Sequence, residues 1–309
     1  MENISDAAKA IRAGQLVVFP TETVYGLGAN ALDPDAVKKI FLAKGRPADN
    51  PLIMHIACKE GIWDYADKAQ LTKDEIILVR KLIQKYWPGP LTLVLPKKKI
   101  VPEVVTAGGD NIAIRMPDNK IALSLIAEAN TPIAAPSANL SGRPSPTRVE
   151  HVLNSPLKDE VAAILDGGPC EIGLESTVAK IEHGKLKLLR PGAVVFSDKD
   201  LANPKESNKE QIKVESPGMK YRHYAPSIPV KLLSRKEIEQ AKSSGGIEAG
   251  IYLISLDKFG HDLDSYARNL FSELIAGDES GAEEIWAETV EKTGIGSAIM
   301  NRLEKAAMI

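Results

Sequence analysis

The stretch Lys44-Gly-Arg-Pro-Ala-Asp-Asn-Pro-Leu-Ile-Met-His-Ile56 decides how the rest of the chain is read. Upstream of it Asp33 precedes Pro34, an acceptor side chain followed by a residue whose φ is pre-set for the first helical turn, so a helix is expected from there to Lys44. Gly45 supplies the left-handed stop. Lys44 and Arg46 are thereby delivered just past a helix end. Pro47 and Pro51 stiffen the loop beyond it, since each fixes one φ and pushes its predecessor toward extended geometry. Leu52 to Ala57 then reads as a buried strand carrying His55. Two cations, the Asn50 amide and an imidazole on a stiffened loop fit anion recognition, with a solvated turn as the plain alternative.

Outward from this stretch, strands and helices alternate. Upstream come a short helix over 5–13 and an apolar strand from Gln15 to Phe19 that runs into Pro20-Thr-Glu-Thr23. Downstream, Thr72-x-x-Glu75 is a capping box opening an amphipathic helix that Trp87-Pro-Gly-Pro90 ends. Leu91 to Leu95 and Ile112 to Met116 read as strands, and Arg115 inside the second is a charge that needs a partner or a ligand. A helix over 119–129 and a strand from Pro132 to Ala135 lead into Pro136-Ser-Ala-Asn-Leu-Ser-Gly-Arg-Pro-Ser-Pro-Thr147, a loop offering Ser137, Asn139, Ser141, Ser145 and backbone amides. Thr147-x-x-Glu150 reads as a second capping box, whose helix N-terminus would add partial positive charge for a phosphate. Val161 to Leu165 is a further strand, and Ser176 to Glu182 and Lys185 to Leu189 form a hairpin through His183-Gly184 that ends in Arg190-Pro-Gly192. The pattern is α/β, and the hairpin makes the sheet mixed.

At 309 residues the chain exceeds one typical core. The segment from Ser197 to Glu215 turns polar, so residues 1–195 are expected as one domain and 196–227 as a linker. The linker ends in Ser216-Pro-Gly-Met-Lys-Tyr-Arg-His-Tyr-Ala-Pro226, too rich in rings and cations for a passive spacer. Residues 228–309 restart the pattern as a small α/β domain: strands at Val230–Leu233 and Ile251–Ser255, helices over 235–243, 262–276 and 295–307. The net charge of −2 argues against charge-driven binding to nucleic acid or membrane as a whole. No stretch nears a membrane span, the N-terminus has neither a basic region nor an apolar run, and Cys58 and Cys170 lack metal or redox spacing, so buried reduced thiols in a cytoplasmic protein are expected.

The polar groups without a core role fall at strand and loop ends of the first domain: Thr23, Lys44, Arg46, Asn50, His55, Arg115, Ser137, Asn139, Ser176 and Arg190. In open α/β folds such ends converge on a crevice, and four cations there suggest an anion with several charges, most economically a nucleotide. No GxxxxGK[ST] loop is present. Gly26-Leu-Gly-Ala-Asn-Ala31 matches the dinucleotide pattern GxGxxG/A and makes a nicotinamide-dependent oxidoreductase a rival, although Asp49 is a poor candidate for the ribose acid. A third reading, an RNA-binding module, leans on Lys97-Lys-Lys99, Arg143 and Arg148 but finds only 5% aromatic residues for stacking. No HExxH or Cys/His cluster points to a protein-ligated metal.

Taken together, Pro20-Thr-Glu-Thr-Val-Tyr-Gly-Leu-Gly28, Lys44-Gly-Arg-Pro47 with Asn50-Pro-Leu52, Pro88-Gly-Pro-Leu-Thr92, Arg115-Met-Pro117, Ala135-Pro-Ser-Ala-Asn139 with Ser141-Gly142, Glu175-Ser-Thr177 and Arg190-Pro-Gly192 resemble the YrdC-type threonylcarbamoyl-AMP synthases. The tyrosine-rich linker and the extra C-terminal domain resemble the longer branch of that family. The resemblance implies a twisted mixed sheet with helices around a cationic crevice. It also implies synthesis of threonylcarbamoyl-adenylate from L-threonine, bicarbonate and ATP with release of pyrophosphate. Magnesium would come in with ATP, and the product would pass to the machinery that transfers the threonylcarbamoyl group to adenosine 37 of tRNA, with tRNA itself a candidate partner. By motif, Lys44 and Arg46 would be catalytic; Arg46, Asn50, Asn111, Ser137, Asn139, Ser145 and Arg190 would hold ATP; and Thr23, His55, Arg115 and Ser176 would surround threonine. Tyr224 or Tyr221 would close over the nucleotide.

Overall fold

In this computed structural model, which describes residues 3–197, 199–201, 223–244 and 250–308, the chain builds a nine-stranded mixed sheet and a separate three-stranded parallel one. Helix α1 (Ile4–Arg12) leads into β1 (Val17–Phe19) and β2 (Gly26–Asn30). Helix α2 (Pro34–Lys44) is bounded as expected: Asp33 accepts the Asp35 and Ala36 amides, and Gly45 stops the helix at φ +60°. β3 (Ile53–His55) and α3 (Ile62–Tyr65) come next. Thr72 and Glu75 then close the reciprocal capping box of α4 (Lys73–Tyr86). β4 (Leu91–Pro96), β5 (Asn111–Arg115), α5 (Lys120–Ala129), β6 (Ile133–Ala135), α6 (Val149–Leu153) and β7 (Ala163–Ile164) lead to the hairpin of β8 (Thr177–Glu182) and β9 (Lys185–Arg190). Its turn places His183 at φ +52° and Gly184 at +74°, the pair of positive values a two-residue hairpin needs.

The strand order is β7-β1-β2-β6-β3-β5-β4-β8-β9. β3 runs parallel to β5 and antiparallel to β6, which sets His55 opposite both Arg115 and Ile133. Side chains alternate across a strand, so Met54, Ile114, Ala134 and Leu93 enter the main core on one face, while Ile53, His55, Ala113, Arg115 and Ala135 line the other. That second face is where the polar groups gather.

Three sequence expectations change. Gly26 and Gly28 do not form a dinucleotide turn; they lie inside β2, paired antiparallel to β1 and β6. A Cβ on Gly28 would stand 2.8 Å from the Phe19 ring and 2.7 Å from Ile133, so glycine is there because a ring lies across the strand. The second capping box does not form: the Thr147 hydroxyl pairs with Ser272 at 2.8 Å, the Thr147 amide donates to His151 Nδ1, and the five-residue α6 starts at an extended Arg148 without a side-chain cap. Of the cysteines, Cys170 is buried but Cys58 is exposed.

Contacts of the large sheet run on to Leu201, which bridges Leu186, and Phe196 sets its ring edge-on to Tyr86. The polar part of the linker and Tyr221 lie outside the described residues. Beyond it, β10 (Val230–Leu233), α7 (Arg235–Ser243), β11 (Ile251–Ile254), α8 (Leu263–Glu279), β12 (Glu284–Glu288) and α9 (Ile295–Ala307) form the second unit, its strands in the parallel order β10-β12-β11. β12 escapes a reading by pattern because acids open and close it. Tyr266, Leu270, Phe271 and Leu274 of α8 pack on Ile299 and Leu303 of α9, and Val24, Leu174 and Tyr224 join this same core. The two units therefore share apolar side chains. Among the described residues no helix is long and apolar enough to cross a membrane.

Candidate active site

The polar face of the large sheet, the loop after β6 and the His223–Tyr224 segment line an open cleft. Its wall holds Thr23, Lys44, Arg46, His55, Arg115, Ser137, Asn139, Ser176, Arg190 and Tyr224 together. These residues come from eight separate parts of the sequence.

The end of α2 aims Lys44 beneath the loop after β6. Its Nζ donates to the carbonyls of Ser137, at 2.5 Å, and of Asn139, while the Lys44 carbonyl receives the Ser141 amide. Arg46 donates to the carbonyls of Asn50 and Pro51, the latter at 3.1 Å, so the proline-stiffened loop curls around its own guanidinium. Arg190, at the end of β9, donates to the Ser176 carbonyl at 3.1 and 2.9 Å and to its Oγ at 3.1 Å. Ser176 Oγ in turn lies 2.8 Å from Thr92 Oγ1. All these partners are carbonyl and hydroxyl oxygens, which orient the three cations without cancelling their charge. Burial accordingly drives the Lys44 ammonium well below its usual range, with Arg46 adding to the push. It lowers the Arg46 guanidinium to about 10 and Arg190 in the same direction. An anion in the cleft would reverse all three.

Arg115 is the exception, because Glu22 lies 2.7 Å from it and both side chains are 4% exposed. Arg115 also donates Nε–H to the Gly89 carbonyl at 3.3 Å. Beside it His55 sets Nδ1–H on the Ile53 carbonyl at 3.1 Å and meets the Phe19 ring edge-on. Burial and then the Arg115 charge push the imidazole down to about 3, so His55 is neutral at physiological pH. Thr23 Oγ1 pairs with Thr21 Oγ1 at 2.8 Å at the same end of the cleft.

In the loop after β6, Ser137 donates to Asn139 Oδ1 and Asn139 Nδ2 donates to the Leu140 and Arg143 carbonyls, which fixes the loop as a preformed wall. Ala225 places its amide on the Gly142 carbonyl at 2.8 Å, so the end of the linker docks on that wall. Tyr224 is buried there at φ +65°, a backbone region unfavourable for a bulky side chain, with its ring 5.1 Å from Phe271.

Three expected residues stand off the cleft wall. Ser145 is fully buried and donates its hydroxyl to Glu175 at 2.6 Å. Asn111 opens β5 on the same face as Arg115, but the register sets it level with the Asn50–Pro51 end of β3. Asn50 is buried behind Arg46 with its Oδ1 unpartnered, an acceptor available to a donor at that end. The cleft wall also includes Ser141 of the loop after β6, and Glu175 and His223, to which sequence reading gave no individual role. His223 is held down to about 4 by burial and by Arg46 and Lys305, and its Nε2 is buried without a hydrogen bond. Of the cations behind the RNA-binding alternative, Lys97 pairs with Glu103 and Thr106, Lys98 with the Trp63 carbonyl and Arg143 with Asp278, while Lys99 and Arg148 are exposed.

Comparison with known proteins agrees with this arrangement. Residues 9–192 match the Sua5/YciO/YrdC family model, described under telomere recombination, and residues 177–308 match the model of the threonylcarbamoyl-AMP synthase C-terminal domain. The threonylcarbamoyl-AMP synthase of Pyrococcus abyssi is 46% identical over 97% of this chain and 93% of its own length, and that of Bacillus subtilis 44% identical over 98% and 92%. The crystal structure of P. abyssi Sua5 complexed with L-threonine superposes with a TM-score of 0.84 at 44% identity, covering 98% of this chain and 94% of that one. A cationic cleft built from these motifs, a linker end docked on its wall and a matching second unit go together, and the chain belongs to the Sua5/YciO/YrdC family in the form that carries the Sua5-type C-terminal domain.

Proposed function

We propose that the cleft makes L-threonylcarbamoyl-adenylate from L-threonine, bicarbonate and ATP, releasing pyrophosphate, and so supplies threonylcarbamoylation of tRNA. The observation that carries this is the set of cations, Lys44 and Arg190 buried and Arg46 half-buried, that are held by carbonyl oxygens rather than by carboxylates. Such groups lie ready for phosphate oxygens, which form stronger, charge-assisted hydrogen bonds. The full-length relatives named threonylcarbamoyl-AMP synthases and the neighbour that binds L-threonine point the same way.

In this reading Lys44, Arg46, Ser137, Asn139 and Arg190 take the nucleotide, with Asn50, Asn111 and Ser145 behind the wall and Tyr224 as cover. Thr23, His55, Arg115 and Ser176 take threonine, the Arg115 guanidinium receiving its carboxylate. A neutral His55 cannot contribute a second charge there and acts through shape and hydrogen bonding. Threonine loses an amine proton and joins carbon from bicarbonate, with water leaving, to give a carbamate. A carbamate oxygen then bonds to the α-phosphorus as the α–β bridging bond breaks and pyrophosphate departs. The protein contributes proximity and charge stabilisation rather than a nucleophile. Glu22 and the cleft carboxylate Glu175 are paired with Arg115 and Arg302. Magnesium would enter with the ATP phosphates as part of the substrate.

Pyrophosphate release measured with and without L-threonine and bicarbonate tests the reading. Release that requires both supports it; release independent of threonine, or none from folded protein, overturns it.

A further inference from the structure

Arg302 on α9 is the largest fully buried side chain among the described residues, 0% exposed, although it belongs to the C-terminal unit and nothing in its sequence context marks it. It crosses into the first unit. Its Nε lies 3.0 Å from Glu175 Oε2, one terminal nitrogen donates to the Glu175 carbonyl at 3.3 Å, and the other donates to the Pro191 carbonyl at 2.5 Å. The guanidinium carbon also stands 5.9 Å from the centre of the Tyr224 ring.

These contacts meet beside Arg190, the nucleotide-facing cation, where it adjoins Ser176 of the threonine set. Glu175 Oε1 accepts from Ser145, and Ser176, the next residue, is what Arg190 grips through carbonyl and hydroxyl. The turn after Arg190 leaves no room for adjustment, since a Cβ on Gly192 would stand 2.4 Å from the Thr177 amide and 2.7 Å from the Glu175 carbonyl. One guanidinium thus braces both sides of the narrow junction, Glu175–Ser176 and Arg190–Pro191, while facing the linker tyrosine. Burial alone would raise the Glu175 carboxyl; Arg302, then Arg190, hold it below the usual carboxylate range.

We propose that Arg302 is a positioning residue through which the C-terminal unit completes the nucleotide end of the active site: by neutralising Glu175 it leaves Arg190 free to face the ATP phosphates and holds Tyr224 against the cleft. Without it, Glu175 is a buried carboxylate whose nearest remaining cation is Arg190, and that arginine is drawn off the nucleotide. Arg115, the partner of the threonine carboxylate in this reading, is braced separately, by Glu22 and the Gly89 carbonyl. The inference rests on the adenylate-synthase reading for its kinetic arm.

The test compares full-length wild type with Arg302→Met, Arg302→Lys and Arg302→Met/Glu175→Gln, measuring threonine-dependent pyrophosphate release and, separately, equilibrium binding of ATP. Arg302→Met should raise the KM and Kd for ATP at least roughly tenfold and leave the KM for threonine within about twofold. Lysine keeps the charge but lacks the planar fork that reaches two carbonyls, so Arg302→Lys should fall between. Removing the Glu175 charge as well should return much of the ATP affinity. A purely structural arginine would lower the midpoint of unfolding and weaken both substrates alike. Equal losses for both substrates, wild-type ATP binding in folded Arg302→Met, or failure of both single variants to fold would each overturn the proposal. If wild type itself releases no pyrophosphate the functional reading fails, and the ATP-binding arm still decides the role of Arg302.

Discussion

Replacing Glu22 by Gln removes the carboxylate paired with Arg115 and changes almost no volume. The carboxylate and Arg115 lie 2.7 Å apart at 4% exposure each. Neither Glu22 oxygen has a hydrogen-bond donor in line among the described residues, so the ion pair is its whole compensation for burial. Arg115 keeps only the 3.3 Å bond to the Gly89 carbonyl once the charge is gone. Breaking a buried pair from one side costs about 3 to 5 kcal/mol, because the other charge stays behind uncompensated. A glutamine carbonyl can still accept from the guanidinium, which sets the expectation at the lower end, about 3 kcal/mol. For a folding unit of this size that corresponds to a fall of roughly 6 to 12 °C in Tm. Urea and thermal unfolding followed by near-ultraviolet circular dichroism should be run on wild type, Glu22→Gln, Arg115→Met and the double variant. The double variant, which restores neutrality, should lose at least about 1.5 kcal/mol less than the sum of the single losses. Additivity within about 0.5 kcal/mol would show that the two side chains do not hold each other, and the account of how Arg115 is aimed would go with it.

Arg46→Ala or Arg190→Ala should each lower adenylate formation about a hundredfold, the rate equivalent of roughly 3 kcal/mol for one lost charged donor, with unfolding midpoints close to wild type; turnover within threefold of wild type in either would remove that arginine from the phosphate site. Gly28→Val should destabilise by about 1 to 3 kcal/mol in urea unfolding, because its Cβ would stand 2.8 Å from the Phe19 ring, whereas unchanged stability would mean the ring can swing aside. Burial holds His55 near 3, below an unfolded value of about 6.5, so the folded chain refuses a proton the unfolded chain accepts. The stability this gives is complete above about pH 6.5 and falls by up to about 1.4 kcal/mol per pH unit on acidification toward 3; His55→Gln should flatten that slope, and an unchanged slope would place the acid sensitivity elsewhere.

Sequence reading succeeds here where the cause of a structure is local. The Asp33–Gly45 frame of α2, the Thr72–Glu75 box and the His183-Gly184 turn each depend on groups within a few residues of one another, and each forms as expected. Gly26-Leu-Gly misleads because its reason is not local: the glycines accommodate Phe19 on the neighbouring strand, which no window along the chain contains. Thr147-x-x-Glu150 fails for the same reason, since Ser272 in the other unit takes the hydroxyl that a cap would use.

The same distinction runs through the cleft. Its cations could be picked out along the chain because a charge beside apolar strands is conspicuous, yet what decides their behaviour is which of them finds a carboxylate. Arg115 finds Glu22 and Arg302 finds Glu175, in both cases across the fold, while Lys44, Arg46 and Arg190 are given carbonyls. The first pattern fixes a side chain in place; the second stores positive charge where an anion can reach it. Glu22 and Arg302 pass unremarked in sequence because one sits among hydroxyl residues at a strand exit and the other on a helix that also carries Lys305 and Glu304. The location of the site is therefore written in single residues, whereas its charge balance, with Arg115 paired to a carboxylate and Lys44, Arg46 and Arg190 held by carbonyls, exists only once distant parts of the chain have met.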